Sequence, residues 1–586
     1  MGKGMQFLKS GLNFSRKPIR QTFYKTLNKT FYLGLMTAST VLLSACGGGG
    51  SSASGTPVIG QSQTNVSLTP SPAPSPTPAP TSAASTAPSF TPGIFEDERN
   101  FENRCENPRP GTDDLQGSTL IENFWLRSWS QNIYLFFDEI VDRDPAGFDN
   151  RLEYFETQRT EATTASGTPR DQFHFSVPTD EFEAVISGDG QGSFGFEFQI
   201  LESATPREIR IIYVEPNSPA ADAGFRRGDI FLEVDDTNIV NGATDDDIDA
   251  IDAALFDSVE GQSHRFVVRD AQTNETKTAT LTAEIIESSP VNRVEILDDN
   301  VGYVLFNTFS PLASEAALFE AFSELSEAGV TELVLDMRYN GGGLLAVASQ
   351  LAYMIAGDLQ TDGHVFEEQV WNSQHPTINP ITGRELMPLP FLDESLGFSV
   401  REGVDLPALD LERVFILSTS STCSASEAVI NGLRGIGVDV ILIGGRTCGK
   451  PYGFIPTDNC GETYFTLQFQ GNNDAGFGDY ADGFSPANST EAIIGETIPG
   501  CEVADDFQAQ LGDPEEGLLA AALHYSQEDR CPALTPENAK ASKNVKPLIV
   551  TSSQKTDQRG DLLANENIKR RLFLEQNRIM TPSPTR

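Results

Sequence analysis

The sequence predicts a multidomain α/β (α+β) protein with a small helical region first, a β-rich domain second and an α/β core third. Three observations carry this. Residues 123–140 mix aromatic and polar residues at helical spacing. Residues 182–287 read as short strands with one helix. From Val294 to Leu335 apolar strands alternate with helical segments, which argues for an α/β core. At 586 residues the chain is long for one domain, and its 39% apolar residues can fill several cores.

The chain opens with an export pattern. Seven basic residues (Lys3, Lys9, Arg16, Lys17, Arg20, Lys25, Lys29) and no acidic ones precede an apolar run, Thr30 to Ala45. Leu43-Ser44-Ala45-Cys46 ends that run. A basic region, a short apolar core and a small-residue site describe a secretory signal over residues 1–45. The cysteine after it resembles a bacterial lipobox, which implies cleavage before Cys46 and lipid on its thiol. The competing reading, a transmembrane anchor, needs a longer apolar run. The expected location is the bacterial cell envelope, lipid-anchored and facing the periplasm from the outer membrane. Residues 46–95, rich in Gly, Ser, Thr and Pro, cannot offset their ordering entropy and read as a tether.

Charge narrows the partners. The formal net charge is −42, and removing the leader makes it −49, which disfavours nucleic acid. Apart from Cys46 there are six cysteines: Cys105, Cys423, Cys448, Cys460, Cys501 and Cys531. An even number in an exported chain suggests disulfides, and a Cys448–Cys460 bridge across the short segment between them is the first expectation. No Cys-x-x-Cys or His-x-x-x-His spacing points to a metal, and neither metal nor cofactor is expected.

Residues 96–180 form the helical region, whose aromatics read as core. In residues 182–287, Gly192-Ser193-Phe194-Gly195-Phe196 opens a strand to Ile200, and Ile211 to Val214 is another. The stretch Ser218 to Asp235, SPAADAGFRRGDIFLEVD, follows. These residues resemble a bacterial PDZ domain. The resemblance implies that Ser193, Phe194, Gly195 and Phe196 are its carboxylate-binding loop. A glycine-bearing loop exposes backbone N–H groups to a C-terminal carboxylate, and the peptide adds as a strand beside Phe196 to Ile200.

Residues 290–530 are the core. Val301 to Phe306 is a buried strand, Ser314 to Ala328 a helix, and Glu332 to Arg338 a strand running into Tyr339-Asn340-Gly341-Gly342-Gly343. An apolar helix, Leu344 to Ile355, comes next, and residues 358–410 are loop-rich. Val414 to Leu417 is a strand emptying into small hydroxyl residues, with a helix from Ser424 to about Leu433. A further strand, Val438 to Ile443, delivers Gly449-Lys450. Strands around Tyr464 to Gln470 and a helix, Glu515 to Tyr525, complete the core, and residues 535–586 are a polar tail.

Serine is a poor nucleophile until a base takes its proton. Lysine serves only when burial lowers its pKa. Ser424 at a helix start meets outward N–H groups that favour a developing anion. Lys450 after a buried strand brings an amine toward that helix. A lone serine here would be read as an N-cap and a lone lysine as a surface residue. Ser426 lies inside the first helical turn, and a serine–histidine triad would need His364, His375 or His524, none in a recognisable motif.

The order Asp336 to Gly343, then Ser424-Ala425-Ser426-Glu427, then Gly449-Lys450, behind a PDZ-like domain, resembles the tail-specific or C-terminal processing proteases over about residues 115–500. That resemblance implies Ser424 as nucleophile and Lys450 as base. It also implies an oxyanion hole from the backbone of Ala425 and of Gly342 or Gly343, and an acyl-enzyme route to peptide hydrolysis. Three departures stand out: Phe454 occupies the place of an orienting polar residue, often glutamine; the serine–lysine interval is one residue longer; Cys423 and Cys448 flank the pair. The expected function is a serine endopeptidase acting on exported proteins captured by their C-terminal tails. The competing one is an inactive peptide-binding adaptor at the cell surface.

Overall fold

The computed structural model describes residues 88–187, 192–286, 289–310, 312–489, 495–533 and 561–562. Cys46, the leader and most of the tether and tail lie outside them. Among the described residues no helix is long and apolar enough to cross a membrane.

A six-stranded sheet organises the core. Its strands are β1 (Val291–Ile296), β2 (Val301–Phe306), β3 (Glu332–Asp336), β4 (Arg413–Ser418), β5 (Asp439–Gly444) and β6 (Gly500–Glu502), side by side in that order. β1 is antiparallel to β2 and the rest are parallel. Three helices make the crossovers: α1 (Ser314–Ala328), α2 (Leu345–Thr361) and α3 (Ala425–Gly435). Parallel crossovers are right-handed, so strands laid down in one direction put all three helices on one face. Val304, Phe306, Leu333, Leu335, Val414, Ile416, Val440 and Leu442 pack there with α1–α3. The alternate residues Tyr303, Leu305, Val334, Phe415, Leu417, Ile441 and Ile443 meet the last helix, α4 (Gly517–Glu528), on the other face. Both faces of the inner strands β2 to β5 are covered, which is why these read as apolar runs rather than alternating.

The helix bounds follow local chemistry. α1 ends at Gly329, which takes the left-handed conformation that closes a helix. α2 is broken at Gly357 (φ 71°), two residues past the expected end at Ile355. The strands expected around Tyr464 to Gln470 are Glu462–Phe465 and Phe469–Asn472, and they join different sheets.

In the PDZ-like region five strands run in the order Phe196–Glu202, Glu208–Val214, Ile230–Val234, Ser263–Arg269 and Thr276–Thr282, with a helix at Asp245–Leu255. Phe196–Glu202 is the sheet edge, so one side of it carries no strand among the described residues. Arg227 ties this region to the core through Asp505 and the Tyr339 hydroxyl.

The N-terminal region has one long helix, Thr119–Ile133, whose Trp125 and Trp129 pack with Phe124, Tyr154 and Phe155. Tyr464 of the core completes that cluster. The strand Phe175–Pro178 pairs antiparallel with Glu462–Phe465, and the Cys105–Cys460 disulfide joins the same places. The other bridges are Cys423–Cys448 and Cys501–Cys531. This corrects the expected Cys448–Cys460 bridge. Cys460 sits in the turn before Glu462, beside the N-terminal region, and Cys448 lies against the start of α3.

Candidate active site

The register of the parallel strands gathers the candidate residues. Asp336 pairs with Leu417 and Leu417 with Ile443, so β3, β4 and β5 end on one edge of the sheet. Loops beyond the carboxyl ends of parallel strands are where such folds place their sites.

Asn340, fully buried at the end of the β3 loop, is the local hub. Its Nδ2 donates to the Phe306 carbonyl at 3.0 Å, and its Oδ1 accepts from Gly342 N at 2.9 Å. Its own carbonyl accepts from Cys423 N at 3.0 Å and from the Ser426 hydroxyl at 3.0 Å. Ser426 therefore serves to stitch the elbow to the glycine turn. Thr422 adds a bond from its hydroxyl to the Met337 carbonyl at 2.9 Å.

Ser424 follows with φ 55° and ψ −112°, a region a residue with a side chain seldom adopts. Such strain, of order 1–3 kcal/mol, persists only where the surroundings enforce it. Here they do. A Cβ on Gly342 (φ 107°) would lie 2.8 Å from Ser424 Cβ and 3.0 Å from Ala425 N, so only glycine lets the turn approach the elbow. Gly342 N is engaged with Asn340. Among the described residues the Gly343 and Ala425 N–H groups have no hydrogen-bond acceptor, and both belong to the segments that meet at Ser424.

Glu427 joins the serine segment to the lysine segment. Its carboxylate, wholly buried, accepts from Ser424 N at 3.1 Å, Gly449 N at 2.8 Å, Lys450 N at 2.8 Å and the Thr447 hydroxyl at 2.6 Å. In the sequence Glu427 stands in the Ser424-Ala425-Ser426-Glu427 motif with no role of its own assigned. The signal for half of it was present, since Ser424 followed three residues later by Glu427 is capping-box spacing. The Cys423–Cys448 disulfide (Cα–Cα 5.2 Å) and a bond from Cys448 N to the Thr422 carbonyl at 3.1 Å add a second tie. The Cys423, Glu427 and Cys448 ligand atoms lie within 4.8 Å of one another, as do those of Cys105, Glu122 and Cys460, but both pairs of thiols are committed to disulfides.

Lys450 is 3% exposed. Burial draws its pKa from the ordinary 10.5 down to about 7, against the opposing pull of the Glu427 and Asp171 carboxylates. Its Nζ lies 4.2 Å from the centre of the Phe454 ring and 4.9 Å from that of Phe173. A neutral amine is thus accessible near neutral pH, which a general base requires. The imidazoles weighed as partners for a serine are engaged elsewhere. His364 bonds Asp474 at 2.7 Å and His375 bonds Asn132, while His524 is on α4, across the sheet from α3.

The second site is the PDZ-like loop. Ser193 bonds Glu284 in both directions, at 2.8 and 2.9 Å, and its hydroxyl accepts from Gly195 N at 3.0 Å. Gly195 (φ 82°) passes so near Ser218 that a Cβ would lie 2.0 Å from Ser218 Cβ. The Phe194 carbonyl accepts from Ala220 N at 2.9 Å. Phe194 and Phe196 are buried against Phe231 and Phe266. The loop is thereby fixed at the head of the edge strand Phe196–Glu202.

The parallel sheet thus carries a strained serine beyond one strand end and a buried lysine beyond the next. Residues 300–454 match the model of peptidase family S41, and residues 210–269 that of a PDZ domain. The chain carries both domains, and its homologues are carboxyl-terminal-processing proteases. It is 31% identical over 172 residues to the chloroplastic C-terminal processing peptidase of Tetradesmus obliquus, a match covering 27% of this chain and 36% of that one. It is 25% identical over 269 residues to the carboxyl-terminal-processing protease of a Picosynechococcus species, covering 45% and 56%. The matches therefore span about a third to a half of these relatives. A Bacteroides fragilis structure described as an S41 protease aligns with a TM-score of 0.52 at 23% identity, over 69% of this chain and 97% of that one, and shares the fold.

Proposed function

We propose that this chain is a serine endopeptidase in which Ser424 is the nucleophile and Lys450 its general base. One observation carries the reading. A buried lysine with a pKa of about 7 is tied through the Glu427 carboxylate to the backbone of a strained serine at a helix N-terminus. In the reaction Lys450 takes the Ser424 hydroxyl proton as Oγ attacks the peptide carbonyl. The oxyanion forms against the N–H groups of Ala425 and Gly343, where donors preset in a dry site are worth most. Lys450 then hands its proton to the leaving amine, and the acyl-enzyme on Ser424 is hydrolysed by a water that Lys450 activates.

Substrate selection falls to the PDZ domain. A C-terminal carboxylate would rest at Ser193 to Phe196, with the peptide added along the free edge of Phe196–Glu202. That edge lies near the site, since Gln199 Nε2 donates to the Ser421 hydroxyl at 3.3 Å. In this reading the protein is exported and held in the envelope by lipid on Cys46. Intact-mass analysis of the mature protein checks the anchor: a diacylated Cys46 is expected, and a chain still beginning at Met1 contradicts it.

The activity is tested by incubating wild type, Ser424→Ala and Lys450→Ala with an unstructured protein substrate. Cleavage by wild type alone is expected. Equal inertness of all three with retained peptide binding would make the chain a peptide-binding adaptor instead.

A further inference from the structure

The lysine pocket has a wall from outside the peptidase domain. Phe173, whose ring lies 4.9 Å from Lys450 Nζ, belongs to the N-terminal region, as does Asp171, whose buried carboxylate acts on the Lys450 charge. On the other side stands Phe454, its ring centre 4.2 Å from the same nitrogen. We propose that Asp171 and Phe173, together with Phe454, are the positioning residues of Lys450, so that the segment preceding the PDZ domain is part of the catalytic apparatus. This rests on the serine–lysine reading above.

The wall is built, not incidental. Asp171 Oδ2 accepts from the Tyr134 hydroxyl at 2.7 Å and Oδ1 from Phe173 N at 2.9 Å, which fixes the carboxylate and the ring that follows it. His174, next along, is wholly buried. Its Nε2 bonds the Phe155 carbonyl at 2.9 Å and its Nδ1 the Thr466 hydroxyl at 3.0 Å. The strand from Phe175 then pairs with Glu462–Phe465, and Phe175 stacks on Phe465 with ring centres 4.3 Å apart. Phe465 in turn meets Phe454 at 5.6 Å. A continuous aromatic layer thus runs from the N-terminal strand to the ring beneath the lysine. A cation over a ring face is attracted by the ring's quadrupole, and more so where water is excluded. Phe454 stands where a polar residue was expected, and a ring there holds the amine by a different force.

The ionisable groups around the amine are Glu427 from α3 and Asp171 from the N-terminal region. Arg159, Tyr134 and His174 lie in turn around Asp171. Removing a carboxylate or a ring face from the ammonium favours the neutral amine. The variants Asp171→Asn, Phe173→Leu and Phe454→Leu should therefore move the titration of Lys450 to lower pH, by about 0.5 to 1 unit each. Phe173→Tyr keeps the ring and should leave it in place.

Two readouts on the full chain test this. The first is the acid limb of kcat/KM against pH. The second is competitive acetylation of the Lys450 amine across about pH 5 to 9, quantified by mass spectrometry, which needs no turnover. The expected result is a downward shift of the labelling curve in the first three variants, matched by the acid limb, with Phe173→Tyr at the wild-type position. Labelling curves for Asp171→Asn and Phe173→Leu that superpose on wild type would overturn the proposal, whatever their activity. Shifted labelling in a protein that never cleaves substrate would uphold the positioning and remove the peptidase reading. Asp171→Asn is isosteric, so it decides the matter should Phe173→Leu fail to fold.

Discussion

Replacing Lys450 by methionine should stabilise the protein in acid and not in base. The side chain is buried, and its pKa falls from 10.5 to about 7 in the folded state. Between those values the unfolded chain holds a proton that the folded chain has released, so stability rises with pH across that window. Below pH 7 the full penalty is present. At about 1.36 kcal/mol for each pH unit, it comes to about 5 kcal/mol. By pH 10 most of it has gone, leaving about 1 kcal/mol. Methionine has a similar unbranched shape and no charge, so the variant should escape the penalty. Titrating groups away from Lys450 are common to both proteins and cancel in the comparison, which leaves only the coupling to Glu427 and Asp171. Urea unfolding of wild type and Lys450→Met, followed by tryptophan fluorescence, should give a stability gap about 4 kcal/mol larger at pH 6 than at pH 10. A gap that does not change with pH would refute the reasoning, because it would mean that Lys450 titrates alike in both states.

Glu427→Ala leaves three N–H donors without an acceptor, those of Gly449 and Lys450 buried and that of Ser424 half-buried. At about 1–3 kcal/mol for each, a stability loss of about 3 kcal/mol or more is expected in chemical denaturation, with loss of nucleophile labelling. Gly342→Ala drives a methyl into Ser424 Cβ at 2.8 Å and should abolish turnover while the PDZ domain still binds peptide, as calorimetry would show. Replacing both Cys423 and Cys448 by alanine removes a bridge of sequence separation 25. That should cost about 3 kcal/mol and lower kcat with little change in KM.

The four inner strands of the central sheet were legible because burial on both faces leaves an apolar run, whereas the edge strands β1 and β6 carry polar residues and no such run. Val301 to Phe306 and Ser314 to Ala328 were read with the bounds they have. The apolar run around Tyr464 to Gln470 showed strands but not that the chain changes sheets between them. Within the site, Ser424 and Lys450 each sit close to a glycine turn and a strand end, which are local features. What went unread depends on partners far apart in sequence. Cys460 bonds a residue 355 positions away, and nothing near it announces Cys105. Asp171 and Phe173 reach Lys450 only because the strand beginning at Phe175 pairs with Glu462–Phe465. The N-terminal region, read as a source of core aromatics alone, supplies that wall. The role of Glu427 at the lysine loop is likewise a long-range one, although its bond to Ser424 N is local.

The central claim is that Ser424 is a nucleophile activated by Lys450. A fluorophosphonate probe applied to wild type, Ser424→Ala and Lys450→Ala, with the adduct mapped by peptide mass spectrometry, tests it directly. The expected result is a single adduct on Ser424 in wild type, none in Ser424→Ala and a strongly reduced yield in Lys450→Ala. Labelling that survives in Ser424→Ala, or that is undiminished without Lys450, would contradict the account.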